Sequence, residues 1–490
     1  MNAFLSKKIF FRILGPLCFL TLQLIHKPET LSKPAYAVLG ITIWMAIWWV
    51  TEAVPMAVTA LLPIVLFPLT GALNIAETTA SYGHKYIFLY MGGFILAIAI
   101  ERWELHQRIA LQIIDVIGTK LNRIVLGFMI ATAFLSMWIS NTATSVMMLP
   151  IGMAMINQFQ KFSEEKDKSF GKALMLAIAY SASIGGMATL IGTPPNLILA
   201  GILEKIYHVK LGFFEWIKFG FPVAVLLLFI CWKYLTEIAF NFKKITFPGG
   251  RAEIKMMKQD LGKISYEEKT VLIVFIATAF LWIFRSLIQK ILPGLDDTII
   301  AMASAIMLFL LPTKDRNRSV LTWQEAVKLP WGIVLLFGGG MALASGFSQT
   351  GLASWIAQYM TELAAIPLFM LILILVAAVN FLTEVTSNVA TTAMLLPVLA
   401  PMALSLNLHP YFIMVSVTLA ASCAFMLPVA TPPNAIVFGS GHLKIADMIK
   451  SGIVMNIVSI LIITMATYFL LPLLWEGVTL YFPEHFKAAH

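Results

Sequence analysis

The chain carries FLSMWISNTATSVMMLP at residues 134–150 and FLTEVTSNVATTAMLLP at residues 381–397. The two stretches are 247 positions apart, and nine of their 17 aligned residues are identical. A second pair, Thr-Pro-Pro-Asn, occupies residues 193–196 and 431–434, at an offset of 238. Both pairs interrupt apolar runs with small polar residues and prolines. The chain therefore contains two copies of one unit.

The composition indicates a membrane protein. Hydrophobic residues make up 59% of the 490 residues and charged residues 12%, about half of the ~25% usual in soluble domains. This much apolar surface cannot be hidden in a water-soluble fold, which excludes a disordered protein, a nucleic-acid binder and an ordinary cytosolic enzyme. The three cysteines lie in apolar runs, which is typical of packing rather than of a disulfide framework or a metal site.

Eleven apolar segments are near the ~20 residues that a helix needs to cross a bilayer. They are 9–25, 35–52, 55–72, 86–103, 173–204, 217–241, 270–292, 297–312, 331–347, 410–441 and 450–474. Two further stretches, 124–157 and 367–406, are interrupted by Ser-Asn and are too long for one helix. We interpret them as re-entrant hairpins, because irregular backbone at membrane depth survives only where it is buried in protein or lines a cavity. The expected fold is an all-α membrane protein.

The two copies cover residues 35–241 and 270–474, each with five spans and one hairpin. An odd number of crossings inverts the second copy, so the first hairpin opens from the cytoplasm and the second from outside. Their tips then meet at mid-depth, the arrangement typical of a secondary transporter's binding site. The other parts are an N-terminal helix and connection (1–34), a cytoplasmic linker with a surface helix (242–269) and a C-terminal tail (475–490).

The charge distribution predicts the orientation. With a cytoplasmic N-terminus, the inside loops hold 24 Lys and Arg residues and the outside loops nine. The positive-inside rule then places the N-terminus in the cytoplasm and the C-terminus outside, in a multi-pass protein of the plasma (inner) membrane. Ala35-Tyr36-Ala37 resembles a signal-peptide cleavage site, but the apolar run before it is long and Pro28 and Pro34 intervene, so we favour retention of the first segment.

Small polar residues at each hairpin tip suit a cation. Ser136 lies four residues before Ser140, and Thr383 four before Ser387, so one helical turn places each pair of hydroxyls on one face. The carbonyls that end the preceding helix suit sodium, and the amides that begin the next helix suit an anion. Helix–helix hydrogen bonding is the alternative, but duplication at two predicted breaks favours binding.

Each Pro-Pro pair unwinds its span, because proline cannot donate a hydrogen bond and breaks the helix. This frees the carbonyls of Gly192 and Ala430 for cations and presents the hydroxyls of Thr193 and Thr431. No Lys or Arg occurs in either tip or either break. A multivalent anion would therefore need cations bound beside it, which is a physical reason to expect coupling.

Two acidic residues lie near these motifs. Glu384 follows Thr383 at the second tip and either orients that tip or contributes to ion binding. Glu52 precedes Pro55, and we interpret it as marking a helix end near the inner surface.

The paired motifs, with WVTEAVP at residues 49–55 and LLFGGG at residues 335–340, resemble the divalent anion/sodium symporter family of dicarboxylate, citrate and sulfate transporters. The resemblance covers about residues 35 to 474. It implies a homodimer in which a transport domain moves against a fixed scaffold domain as an elevator. It also implies sodium as the coupling ion and no other cofactor.

The resemblance implies specific ligands. One sodium site would use Ser136, Ser140, Asn141 and Gly192, and the other Thr383, Ser387, Asn388 and Ala430. The substrate carboxylates would meet Asn141, Thr142, Thr193, Pro194, Asn388, Val389, Thr431 and Pro432. Val389 departs from the strict motif, which has Thr in both tips. The Ser-Asn-Val form resembles animal di- and tricarboxylate carriers, and the missing hydroxyl leaves the substrate choice open.

We therefore predict a sodium-coupled importer of C4-dicarboxylates such as succinate, malate or fumarate. A sodium-independent dicarboxylate exchanger is one alternative, as is citrate, sulfate or tartrate as the substrate. A channel is another, which saturating flux would exclude. An intramembrane protease would need a Gly-x-Ser-x-Gly elbow, a His-Glu-x-x-His helix or paired intramembrane aspartates, and the sequence has none, so we do not expect an enzyme.

Overall fold

A computed structural model describes residues 2–25, 27–118, 120–162, 169–240, 250–360 and 365–487. The described chain is almost wholly helical, and its β-structure is limited to two isolated bridges. Residue 241 and residues 242–249 of the predicted linker, which include Pro248 and Gly249, lie outside the described residues. The rest of that linker contains a helix (Gly250–Asp260), and its position on the membrane surface stays a prediction.

The helices of the first half follow one another closely. They are α1 (Asn2–Leu24), α2 (Lys33–Thr51), α3 (Met56–Thr59), α4 (Leu62–Thr70), α5 (Ile75–Ala80), α6 (Lys85–Arg102), α7 (Leu105–Ile117), α8 (Leu121–Ser136), α9 (Asn141–Phe162), α10 (Ser169–Met187), α11 (Pro194–Tyr207) and α12 (Phe213–Lys233). A 3-10 turn (Ser81–Gly83) precedes α6, and a π-helical segment (Tyr234–Ala239) extends α12.

The second half begins after the linker helix. Its elements are α13 (Gly250–Asp260), α14 (Tyr266–Ile283), α15 (Arg285–Ile288), α16 (Asp297–Leu310), α17 (Trp323–Ala326), α18 (Trp331–Gln349), α19 (Leu352–Tyr359), α20 (Leu368–Leu382), α21 (Asn388–Ser405), α22 (Pro410–Ala421), α23 (Pro432–Phe438), α24 (Ile445–Met465), α25 (Leu471–Leu474) and α26 (Glu484–Lys487). A π-helical segment (Ala466–Leu470) follows α24, as one follows α12.

Seven helical segments among the described residues are long and apolar enough to cross a membrane, and five shorter apolar helices accompany them. The chain is therefore an integral, multi-pass membrane protein. The eleven predicted crossings and the re-entrant character of the two hairpins stay predictions, because length and composition alone do not fix which helices cross.

The helices break at the duplicated motifs. In the first half, α8 ends at Ser136 and α9 begins at Asn141, whereas in the second half α20 ends at Leu382 and α21 begins at Asn388. The Pro-Pro pairs give a second break in each half. Residues 188–193 separate α10 from α11, and residues 422–431 separate α22 from α23. Both later helices begin with proline, whose missing N–H is harmless in a first turn.

The two halves pack in matching ways around two central helices, α10 and α22, that are almost entirely buried. Every residue of α22, and all but two of α10, are buried, as expected for helices that are apolar on all sides. In each half the helix before the tip and the helix after it both pack on this central helix. The short helices after the Pro-Pro breaks cross over, since α11 packs on α21 and α23 packs on α9. The two polar tips are thereby brought to one place.

A glycine on the next long helix closes this arrangement in each half. A Cβ atom at Gly220 would lie 2.8 Å from the Met187 carbonyl oxygen, and one at Gly452 would lie 2.3 Å from the Phe425 carbonyl oxygen. Met187 ends α10 and Phe425 lies within the segment 422–431, and the two residues match at the 238-residue offset of the Pro-Pro motifs. Helices α12 and α24 therefore contact these segments backbone to backbone, which a larger side chain would prevent.

Candidate functional site

The predicted site residues surround one cavity of about 730 Å³. Twelve of the 14 line it: Ser140, Asn141, Thr142, Gly192, Thr193, Pro194, Ser387, Asn388, Val389, Ala430, Thr431 and Pro432. The other two, Ser136 and Thr383, are fully buried directly behind the tips. Both tips and both Pro-Pro breaks therefore meet, although they are about half a chain apart in sequence.

Oxygen atoms converge behind the first tip. Ser136 Oγ lies 2.6 Å from Asn141 Oδ1 and 2.7 Å from the Ala182 carbonyl oxygen. One hydroxyl proton cannot serve two acceptors at once, so this group of three oxygens retains lone pairs. At the tip itself, Ser140 Oγ accepts a hydrogen bond from Ala143 N at 3.2 Å. Such a set of hydroxyl, carboxamide and carbonyl oxygens suits a hard cation.

The second tip repeats this geometry. Thr383 Oγ1 lies 2.8 Å from Asn388 Oδ1 and 2.9 Å from the Ala421 carbonyl oxygen. Both the hydroxyl–carboxamide pair and the partner carbonyl on the central helix have their counterparts in the first half. The spacing of four residues predicts that each pair of hydroxyls shares one helical turn, but α8 ends at Ser136 and α20 at Leu382, so neither pair lies within one helix. The spacing did not predict the carboxamide partners. The hydroxyls before the tips point back into the protein, towards α10 and α22.

Two buried asparagines hold the unwound segments, and sequence reasoning assigned them no role. Asn196 Nδ2 donates to the carbonyl oxygen of Thr189 at 2.8 Å. Asn434 Nδ2 donates to the carbonyl oxygens of Ala424 and Leu427, at 3.1 and 3.0 Å. These are the final residues of the two Thr-Pro-Pro-Asn motifs, so their duplication was a usable signal. They satisfy carbonyls that the helix break leaves without partners.

Glu384 orients the unwound segment of the second half. Its carboxylate is 3% exposed and accepts hydrogen bonds from the backbone amides of Phe425, Met426 and Leu427 at 2.7, 3.0 and 3.0 Å. Asn456 Nδ2 donates a fourth hydrogen bond at 2.8 Å. Of its two predicted roles, these contacts fit the orienting one, although the segment that it orients follows α22. Met137 occupies the matching place in the first half, which therefore has no such anchor.

The cavity contains little charge. None of the described residues that line it is Lys or Arg, and Glu52 is the only charged one. Glu52 is exposed to the cavity, not merely at a helix end, and sequence reasoning missed it because nothing linked 49–55 to the tips. The part of the lining outside the tips and the Pro-Pro breaks is largely apolar. It includes Met56, Tyr90, Phe94 and Leu336, which come from α3, α6 and α18.

The turn that carries Glu52 is held on both sides. Trp49 Nε1 donates to the Met56 carbonyl oxygen at 3.2 Å, and Arg12 Nε donates to the Ala53 carbonyl oxygen at 2.8 Å. Glu52 itself has a φ of 47°, in the left-handed region. The carboxylate therefore projects from a defined turn.

Comparison with known proteins identifies the family. A family model described as the sodium:sulfate symporter transmembrane region matches residues 6–475. This chain belongs to the divalent anion/sodium symporter family. A sodium-dependent dicarboxylate transporter SdcS from Staphylococcus saprophyticus is 46% identical over 470 residues, 94% of this chain and 91% of that protein. An SdcS from Staphylococcus aureus is 43% identical over 471 residues, with the same coverage of both chains.

Solved structures show the same fold at low sequence identity. The YdaH transporter of Alcanivorax borkumensis aligns with a TM-score of 0.57 at 14% identity, covering 90% of this chain and 98% of that one. Neisseria gonorrhoeae MtrF aligns with a TM-score of 0.56 at 14% identity, covering 91% of this chain and 97% of that one.

The named members of this symporter family are transporters, which confirms the expectation that the chain is not an enzyme. The described residues also contain no cluster of His, Cys, Asp and Glu that could hold a metal ion.

Proposed function

We propose that this symporter-family protein carries C4-dicarboxylates such as succinate, malate or fumarate together with sodium. One observation carries the proposal: a single cavity joins two duplicated oxygen-rich tips without any Lys or Arg among its described lining residues. A dianion in such a place needs small cations beside it. The names of the SdcS relatives point to the same pair of cargoes.

The proposed sodium sites use the two matching groups of oxygens. Ser136, Ser140, Asn141 and Gly192 form one, and Thr383, Ser387, Asn388 and Ala430 form the other. Sodium binding would draw Asn141 Oδ1 and Asn388 Oδ1 towards the ions and fix both tips. The cations then offset the charge of a dianion at the cavity surface, so binding of sodium precedes binding of substrate.

The proposed substrate contacts lie on the cavity side of the same motifs. Helices α9 and α21 begin at the cavity, and their first amides carry partial positive charge that suits a carboxylate. The donors are Asn141, Thr142, Thr193, Asn388 and Thr431, with Val389, Pro194 and Pro432 shaping the surface. Val389 offers no hydroxyl, so the second tip makes fewer polar contacts than the first.

We further propose an elevator mechanism in a homodimer. The tips, the Pro-Pro breaks and the two buried helices would move as a transport domain, and the apolar wall from α3, α6 and α18 would belong to a fixed scaffold. Exposed Glu52 and Gly332 lie at helix ends that the charge bias assigns to the cytoplasm. The cavity would then open inwards, with the N-terminus in the cytoplasm and the C-terminus outside.

Uptake of radiolabelled succinate into proteoliposomes tests the function. We expect saturable uptake that requires an inward sodium gradient. Substituting Asn141 or Asn388 by Ala should abolish it while leaving the protein folded. Uptake that ignores sodium but needs internal dicarboxylate would favour exchange instead, and stronger competition by citrate, sulfate or tartrate than by malate would assign another substrate.

A further inference from the structure

We propose that Lys85 is a switching residue of the transport cycle, which binds Glu204 while the cavity opens inwards and Asp296 while it opens outwards. This inference rests on the proposed function, because the proposed elevator movement is what separates Glu204 from Lys85. The switch lies outside the cavity and the duplicated motifs, at the end of α6 that the charge bias places outside the cell.

Three helix ends meet at Lys85. Lys85 begins α6, Glu204 lies in the last turn of α11, and Asp296 is the N-cap residue of α16. Lys85 Nζ lies 2.7 Å from Glu204 Oε1 and 3.7 Å from Asp296 Oδ2. The ammonium group therefore lies between two carboxylates and contacts that of Glu204 most closely.

The two carboxylates belong to parts of the protein that the elevator mechanism separates. Helix α16 packs along α6, which we assign to the scaffold, so the contact between Lys85 and Asp296 stays within the scaffold. Helix α11 begins at the first Pro-Pro break and packs on α21 and α22, so it would move with the tips. It also packs on α18, at the boundary of the two parts. The contact between Lys85 and Glu204 thus crosses this boundary.

The connection that follows α11 is held by the same scaffold helices. Tyr86 Oη donates to the Leu211 carbonyl oxygen at 3.0 Å, and Phe213 N donates to Asp297 Oδ2 at 2.8 Å. These residues are neighbours in sequence of the ion-pair residues, and their contacts also join α6 and α16 to the moving part. An outward movement of α11 must therefore break a group of contacts of which the Lys85 ion pair is the charged member.

The second carboxylate makes the ion pair reversible. The side chains of Lys85 and Glu204 are 30% and 17% exposed, so water replaces only part of the interaction when they separate. A lysine has a flexible four-carbon stem, and Asp296 is near enough to accept its ammonium after a small rotation. Exchange between the two carboxylates lowers the cost of opening, so Lys85 favours one conformation without locking it.

Labelling of the cavity from outside tests the switch. V429C is introduced into a C18S background, because Val429 is an exposed residue of the cavity lining and the other two cysteines are buried. Intact cells are treated with a membrane-impermeant maleimide. We expect E204Q, which removes the contact across the boundary, to raise the labelling rate about fivefold. D296N removes the second partner but can still cap α16, so it should lower the rate.

E215Q is the matched control for labelling. Glu215 pairs with Lys218 at 3.0 Å near the same membrane surface, but both residues belong to α12. Loss of this pair should leave the labelling rate at the wild-type value. Wild-type labelling in E204Q, or an equal increase in D296N and E204Q, would overturn the inference.

Crosslinking gives an independent test that does not depend on neutral variants. In the C18S background, a short bis-maleimide joins K85C either to E204C or to D296C, and sodium-driven succinate uptake is compared before and after the reaction. The first link should stop uptake, whereas the second should leave it unchanged. Uptake that continues through the first link, or stops with both, would overturn the inference. Absence of sodium-dependent succinate uptake by the wild-type protein would instead overturn the proposed function.

Discussion

Replacing Glu384 by Gln tests whether this buried carboxylate anchors the unwound segment. The wild-type carboxylate receives three backbone amides and one carboxamide, with Leu427 N on Oε2 and the other donors on Oε1. In E384Q the side-chain oxygen can keep the three donors that bind Oε1 in the wild type, but the new NH2 then faces the Leu427 amide. One buried backbone donor is then orphaned, and the other contacts lose their ionic character.

The hydrogen bonds that E384Q loses or weakens determine the size of the destabilisation. An orphaned buried donor costs about 1–3 kcal/mol, and hydrogen bonds to a charged acceptor contribute about 1 kcal/mol more than neutral ones. Removing a buried charge recovers part of this loss, so we expect a net destabilisation of about 2–4 kcal/mol. The apparent Tm should fall by several degrees, and stabilisation by sodium should weaken because Ala430 and Thr431 are the last residues of the loosened segment.

Thermal unfolding of purified protein, followed by tryptophan fluorescence with and without sodium, measures both effects. E476Q is the matched control, because it removes an exposed carboxylate near the C-terminus and should leave both values unchanged. E384Q with a wild-type Tm would refute the anchoring role. A lowered Tm with an unchanged sodium effect would separate the anchor from the second ion site.

Three other substitutions test neighbouring features by the same unfolding assay. N434A leaves two carbonyls of the second break without their shared donor and should destabilise the protein by about 2–3 kcal/mol, and an unchanged Tm would contradict this role of Asn434. G452A places a methyl group 2.3 Å from the Phe425 carbonyl oxygen and should cost about 3 kcal/mol or more; a Tm within one degree of wild type would contradict the backbone contact. Burial alone would raise the pKa of Glu325, but hydrogen bonds, first among them the one from Arg318, lower this pKa from 4.5 to about 2. The ionised carboxylate therefore stabilises the fold fully above pH 4.5, and this contribution is lost as the pH falls towards 2. E325Q should reduce the dependence of the Tm on pH below pH 4.5. Parallel Tm–pH curves for E325Q and the wild-type protein would contradict this role of Glu325.

The sequence was sufficient to locate the helix breaks and the residues that meet at the cavity. Proline and Ser-Asn signals are local, and duplication separates them from chance. Duplication of the Thr-Pro-Pro-Asn motif also marks Asn196 and Asn434, although the sequence alone does not show what their side chains bind. Local chemistry repeated at a fixed offset was thus the most informative signal in this chain.

The remaining features depend on contacts between distant parts of the chain. Glu384 binds amides more than 40 residues away and Asn456 at a separation of 72, so no spacing rule could show which segment it orients. Glu52 reaches the cavity only because α2 and α3 pack beside α18. Glu52 lies outside the duplicated tips and Pro-Pro breaks, so a motif search confined to those segments does not reach it.

The glycine contacts at Gly220 and Gly452 have a mechanical consequence. With backbone against backbone, neither α12 nor α24 can slide past the unwound segment of its own half without first lifting away from it. Each long helix is thus tied to the unwound segment that it contacts, and under the proposed elevator mechanism the two would move together. A covalent crosslink between α24 and α22 should therefore leave the transport rate unchanged. A crosslink that stops transport would instead identify two surfaces that move past each other during transport.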